Sequence, residues 1–278
     1  MVRWNHWHTE PALLIGILAA VWGYLVLTGP LRAAIAPGEP FPRAKARWFA
    51  AAALSFYLAV GSPLDALGEG FLFSAHMVQH NILMYVTALC TVLAIPGWLV
   101  DGILSRSPVL LRLARLALHP VTAGFSFTFT FCVWHFPVLY EAALHDKAVH
   151  MLEHLTMYGS SVQMLWAVRS PSRLVPRQPW GMQILYVFLL MVAQLPLFGI
   201  LTFSTEVLYP TYELAPRVSQ LDPLSDQVLG GLLMKVSNMI ISLYLMGRAF
   251  FMWNREQEAA GSLPKRLALE HPQGKAIA

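Results

Sequence analysis

Residues 71–95 read FLFSAHMVQHNILMYVTALCTVLAI, an apolar run without a single Asp, Glu, Lys or Arg. A stretch of about 18 or more such residues reads as a membrane-spanning helix. Yet this run opens with two histidines four positions apart, His76 and His80. Imidazoles at membrane depth are uncommon and raise a functional question by default. The same five-residue pattern, His-Met-x-(Gln/Glu)-His, returns at 150–154 as HMLEH.

The rest of the chain extends the first reading. Of 278 residues, 56% are hydrophobic and 12% charged, against about 25% charged in soluble globular domains. The lipid interior admits only helices and closed barrels, and the apolar runs are continuous rather than alternating. The expected fold class is therefore all-α, a polytopic transmembrane helical bundle. Seven spans are expected, near 11–31, 46–62, 71–95, 120–139, 148–168, 183–204 and 227–252. They make one domain over 1–255, with 256–278 a flexible cytoplasmic tail. The opening MVRWNHWHTEP lacks the features of a cleaved leader, so the first span is expected to be retained. Cys90 and Cys132 both fall inside spans, which excludes a disulfide framework and reads best as two small buried hydrophobes.

Charge sets the expected orientation. Fifteen of the 19 Lys and Arg residues fall in alternate loops and at the C-terminal end. The positive-inside bias then puts the C-terminus in the cytoplasm and the N-terminus outside. The opposite face holds ten acids, among them Asp65, Glu69 and Glu153, against Arg3, Lys147 and Arg217, a net charge of −7. Such a face concentrates cations, although acids are also simply tolerated there. Lys235 is left inside the last span, with Glu206, Asp226, Glu153 or the interface as its expected partner.

Five of the ten histidines, His76, His80, His135, His150 and His154, lie in the third, fourth and fifth spans. Residues four apart share a helix face, so each HxxxH offers two imidazoles to one ion. At about 1.5 Å rise per residue, His80, His135 and His154 lie roughly 21–23 Å from the inner boundary, and His76 and His150 roughly 27–29 Å. The five are expected to meet in two layers and to hold a metal. Met84 continues the stripe of His76 and His80, and Met157 continues that of His150 and His154; packing is the plainer role for both. Imidazole suits copper, zinc, iron and nickel, and nearby thioethers tilt the choice to copper as Cu(I). Glu153 and the outer acids are placed to orient ring N–H groups around such an ion. His6 and His8, near the outer end of the first span, are within reach to assist, although a flexible terminus is the plainer reading.

SPLDAL (62–67), SAHMVQH (74–80), LHP (118–120), WHFP (134–137), HMLEH (150–154) and DQVLGG (226–231) occur in this order. Together they resemble the polytopic CtaG family of cytochrome c oxidase assembly factors, over about residues 10–255. The single-span assembly factor of the same name, with cysteine ligands, is not similar. The resemblance implies a multi-pass protein of the bacterial inner membrane. It also implies a non-enzymatic role in making haem–copper oxidase through copper handling on the outer side. Carried over by motif, the family's histidines fall on the five positions above. Expected partners are cytochrome c oxidase subunits, a periplasmic copper donor and the lipid bilayer, but no nucleic acid.

Other classes compete. A b-type cytochrome would use His80 and His154 as axial haem ligands, which leaves the doubled HxxxH unexplained. A di-iron oxygenase of the desaturase kind would carry an HxxHH box, and none is present. A copper transporter would need a polar trail beyond His80, where Met84, Thr87, Cys90 and Thr91 offer a thin one.

Overall fold

A computed structural model describes residues 7–270, with side chains to residue 260. His6 and residues 271–278 of the expected tail lie outside the described residues. The described chain is helical throughout, without a strand. In order the helices are α1 (Pro11–Thr28), α2 (Arg32–Ile35), α3 (Arg43–Val60), α4 (Pro63–Gly70), α5 (Phe73–Asn81) and α6 (Ala88–Ala94). A π-helical segment, Ile82–Thr87, joins α5 to α6. Then come α7 (Gly97–Leu104), α8 (Pro108–Ala117), α9 (Pro120–Trp134), α10 (Pro137–His145), α11 (Lys147–Arg169), α12 (Trp180–Ala193), α13 (Leu195–Phe203), α14 (Pro210–Leu214) and α15 (Pro223–Glu270).

Local chemistry explains where these helices begin. Proline opens α1, α4, α8, α9, α10, α14 and α15, the position where its missing N–H costs nothing and its fixed φ is already helical. Ser62, Ser107 and Asp146 cap α4, α8 and α11 by accepting from backbone amides one turn in. Asp222 does the same for α15, taking the amide and hydroxyl of Ser225 at 3.0 and 2.6 Å.

A helix stands at each of the seven expected spans, but the spans are not equal. Four are long and apolar enough to cross a membrane by themselves: Pro11–Thr28, Phe73–Ala94, Trp180–Phe203 and Pro223–Ala260. Two more qualify only as bent pairs, α3 with α4 at 42° and α8 with α9 at 56°. That makes four to six candidate spans, and the chain is a multi-pass membrane protein. α11 is long enough, at 23 residues, but is not among them, because Lys147, Glu153, Arg169 and its histidines interrupt its apolar character. The expected fourth span, 120–139, is not one helix either. α9 stops at Trp134, and Pro137 restarts the chain as α10 after an extended Phe136, as the restriction on a residue before proline requires. The expected tail continues α15 as helix to Glu270.

Burial is inverted relative to a soluble domain. Trp22, Phe125, Phe129, Leu189 and Leu243 lie exposed on the outside, while five histidines, Glu153, Asp226 and Gln227 are buried. An apolar exterior is what lipid solvates.

The last helix locks the site-bearing α5 in place. Buried Asp226 accepts the Ser74 hydroxyl and, at 3.4 Å, the Ser74 amide. It thereby caps the N-terminus of α5, whose own N-cap, Leu72, has no side-chain acceptor. One turn on, a Cβ at Gly230 would sit 2.4 Å from the Phe73 ring, and one at Gly231 3.1 Å from Leu201. DQVLGG is thus a packing device. Lys235 forms no ion pair with Glu206, Asp226 or Glu153; its ammonium lies 5.5 Å from the Phe198 ring centroid, a cation–π contact.

At the basic end α7 anchors the loop before α12. Asp101 accepts the Ser172 hydroxyl and the amides of Arg173 and Leu174. Burial pushes the Asp101 carboxyl up, but these donors outweigh it and hold it below its ordinary 3.8.

Two outcomes are expected. Asp226→Ala removes the α5 cap and leaves Ser74 without its acceptor, so the protein should lose about 1–3 kcal/mol in thermal unfolding. Because the Asp101 pKa is lowered in the folded state, its contribution is full above pH 3.8 and is lost as pH falls further. Hydrogen exchange at Arg173 and Leu174 should therefore be protected at neutral pH, accelerate below that window, and be fast at both in Asp101→Ala.

Candidate metal centre

Three helices and one helix end supply the site. α5 presents His76 and His80 on one face, α11 presents His150 and His154, and His135 is the C-cap of α9 where WHFP breaks the helix. α4 lies directly against this assembly because Gly68 carries no side chain: a Cβ there would meet the His76 Cα at 2.9 Å. That contact brings Asp65 and Glu69 of α4 to the histidines.

The five imidazoles meet, and they pair as the layers predict. Ring centroids are 5.5 Å apart for His76 and His150, 5.3 Å for His80 and His154, and 6.2 Å for His80 and His135. Along each helix the separations are 4.3 Å for His76–His80 and 4.2 Å for His150–His154. All five residues are buried.

Two overlapping donor sets result. In the first, one ligand atom from each of His76, His80, Glu153 and His154 lies within 4.8 Å of the others. Glu153 is its centre: Oε1 is 3.5 Å from His80 Nε2 and 3.7 Å from His76 Nε2. The second set is Asp65, His150 and His154, with the same limit. Donors on one ion at about 2.0–2.1 Å each stand no more than about 4.2 Å apart, so small side-chain rotations bring either set to ligating distance.

The surroundings orient these rings. His150 Nδ1 is 2.6 Å from Glu69 Oε1, and His135 Nδ1 is 2.6 Å from the Phe131 carbonyl. In each case Nδ1–H donates outward and leaves the Nε2 lone pair for another partner, the arrangement that orients metal-binding histidines. His8 Nε2 lies 3.3 Å from Asp65 Oδ2, so this residue belongs to the site and not to a loose terminus. Gln79 donates to the other Asp65 oxygen.

Tyrosines cover the cluster on one side. Tyr140 lies 5.2 Å from His76, ring to ring, and Tyr209 donates to the His135 carbonyl at 2.9 Å. Tyr212 donates to the Gly68 carbonyl at 2.6 Å and sits 3.0 Å from the Tyr140 hydroxyl. Trp134 donates to Thr156 at 2.8 Å, tying α9 to α11.

Both nitrogens of His76 and His80, Nε2 of His135, His150 and His154, and both oxygens of Glu153 are buried without a hydrogen-bond partner. An unpaired buried polar group costs about 1–3 kcal/mol, and native interiors pair nearly all of them. So many orphans at one point fit the donor set of a metal ion.

Met84 and Met157 are both buried in the large core cluster with Phe73 and Met77. The stripe through Met84 assumed a continuous α-helix, and the π segment Ile82–Thr87 interrupts that spacing. π segments recur at functional sites. The sequence placed Asp65 and Glu69, like Glu153, behind the ligands among the outer acids; Glu69 does hold His150 there, whereas Asp65 and Glu153 stand in the donor sets themselves.

The family of cytochrome c oxidase caa3 assembly factors matches residues 22–256. This chain belongs to that family. The match spans every helix that carries the His cluster, and the family makes the protein a cytochrome c oxidase assembly factor, associated with the oxidase at a membrane. No curated protein and no solved structure matches the chain.

If the orphaned groups are kept for a ligand, they cost the ligand-free assembly factor stability. Glu153→Met should then raise the thermal stability of chelator-treated protein by about 1–3 kcal/mol. A purely structural Glu153 would make the same substitution destabilising.

Proposed function

We propose that this assembly factor binds copper through the His76, His80, Glu153 and His154 set and delivers it to the oxidase. The observation that carries this reading is the group of buried imidazole and carboxylate atoms without partners. His135 stands beside the set with its Nε2 free to join. Met84 and Met157 are candidate thioether ligands from the adjoining core, and they would favour Cu(I).

The role is non-catalytic, since the ion is cargo that is held and released. The chain's own residues do three things. Glu69 and the Phe131 carbonyl hold His150 and His135 in the tautomer that leaves Nε2 available. Glu153 neutralises cationic charge in a low-dielectric interior, where an unpaired charge is costly. The packed tyrosines keep water from one side of the cluster. With the N-terminus outside, the site lies near the outer face of a bacterial inner membrane, whose acids draw copper from a periplasmic donor.

The test is a metal assay and absorption spectrum on the detergent-solubilised protein. Copper near one equivalent that survives a chelator wash, with no Soret band, is the expected result. His80→Ala and His154→Ala should each lose this tightly held copper while keeping wild-type helicity. Wild-type retention in both variants overturns the shared site, and a Soret band replaces it with a cytochrome.

A further inference from the structure

The two donor sets differ in access. His76, His80 and Glu153 are at most 1% exposed, and none of them lines the cavity that their neighbours line. Asp65, Glu69, His150 and His154 do: they form the polar end of a cavity of about 700 Å³ bounded by α1, α3, α4 and α11. His8 and Lys147 lie at the same end, and apolar residues such as Leu13 and Phe49 line the remainder. His154 alone belongs to both the sealed set and the accessible one.

We propose that Asp65, His150 and His154 form a second metal site, a loading site that takes copper from the cavity and hands it inward through His154. This rests on the copper reading of the inner set and adds a route to it. Three features support an ion here. The Nε2 atoms of His150 and His154 are buried and unpartnered. Glu69 holds His150 by Nδ1 at 2.6 Å, so that Nε2 carries the lone pair. Gln79 and His8 hold Asp65 from either side, which fixes a carboxylate that would otherwise have no reason to be buried.

The donor types also differ. Two imidazoles and one carboxylate, open to a cavity, bind a copper ion loosely. Three imidazoles and a carboxylate, of which His154 alone lines that cavity, bind it more tightly. Transfer is a ligand exchange without change of oxidation state. His154 stays on the ion while Asp65 and His150 leave and His76 and His80 bind, so the ion is never released to the lipid interior. Since His154 serves both sets, the sites fill in succession.

Cu(II), a paramagnetic probe of the same donor atoms in place of EPR-silent Cu(I), supplied as its glycinate complex to the full-length protein, tests this by rapid-freeze electron paramagnetic resonance. Wild-type protein should show an early signal with two nitrogen ligands that converts to one with three. His80→Gln should stop at the early signal and hold copper that a chelator removes. Asp65→Asn keeps an acceptor for Gln79 and so should fold. Adding it to His80→Gln should weaken that remaining copper by at least about tenfold. By itself, Asp65→Asn should slow loading of the inner site without lowering its final occupancy, as should His150→Gln. If His80→Gln takes no copper and Asp65→Asn and His150→Gln both load at the wild-type rate, the loading site is overturned while the inner site stands. If the wild type takes up neither Cu(II) nor Cu(I), the latter read by metal assay after anaerobic loading, both readings fall.

Discussion

Five imidazoles and a carboxylate buried between apolar helices are expensive to desolvate, and the rest of the fold is arranged around that cost. Water would satisfy such groups at no penalty, and a hydrocarbon environment cannot. The protein buries them, with a cavity beside His150 and His154, and supplies oriented partners to some, Glu69 for His150 and the Phe131 carbonyl for His135. It leaves the inner atoms without partners. A bundle selected for stability alone would fill this volume with leucine. The retained polarity is the observation on which the proposed copper site rests.

Holding the centre open requires the helices around it to be pinned. α15 does much of this from outside: Asp226 caps α5, and paired glycines let the helices touch where Phe73 and Leu201 are packed. Gly68 does the equivalent for α4, whose backbone approaches His76 so closely that a methyl group would collide. Tyr209 and Tyr212 of the segment around α14 then close one side through hydroxyls that donate to the backbone carbonyls of His135 and Gly68, with Tyr140 of α10 beside them. Motif residues far from the histidines in sequence thus act on the same few ångströms of space.

Much of the site was legible beforehand because helical periodicity is a local property. Two HxxxH pairs four residues apart must share a face, and the common rise per residue places three helices' histidines in matching layers. The ring contacts His76–His150 and His80–His154 are those layers. The carboxylates were harder to place. Asp65 and Glu69 reach the histidines only because α3 bends by 42° into α4 and Gly68 allows the approach. Nothing within either helix signals that bend's direction. Met84 shows the opposite failure: an α-periodic projection is disturbed by a π segment, which depends on packing against neighbours more than on the residues in it.

The sequence alone determined the all-helical membrane class, the approximate place of the long apolar helices, the family and the identity of the five clustered histidines. Each follows from composition, from short-range spacing or from motif, and none needs a long-range contact. Tertiary structure decided that α11 enters the bundle despite its charges, because Glu153 and both its histidines find a polar centre there. It also decided that the helix of the expected fourth span ends one turn early, which makes His135 its C-cap. Finally, it divided the donors into a sealed set and a set open to a cavity. That division depends on which side chains face each other across four helices. Such contacts are set by packing between distant segments, and no local pattern encodes them.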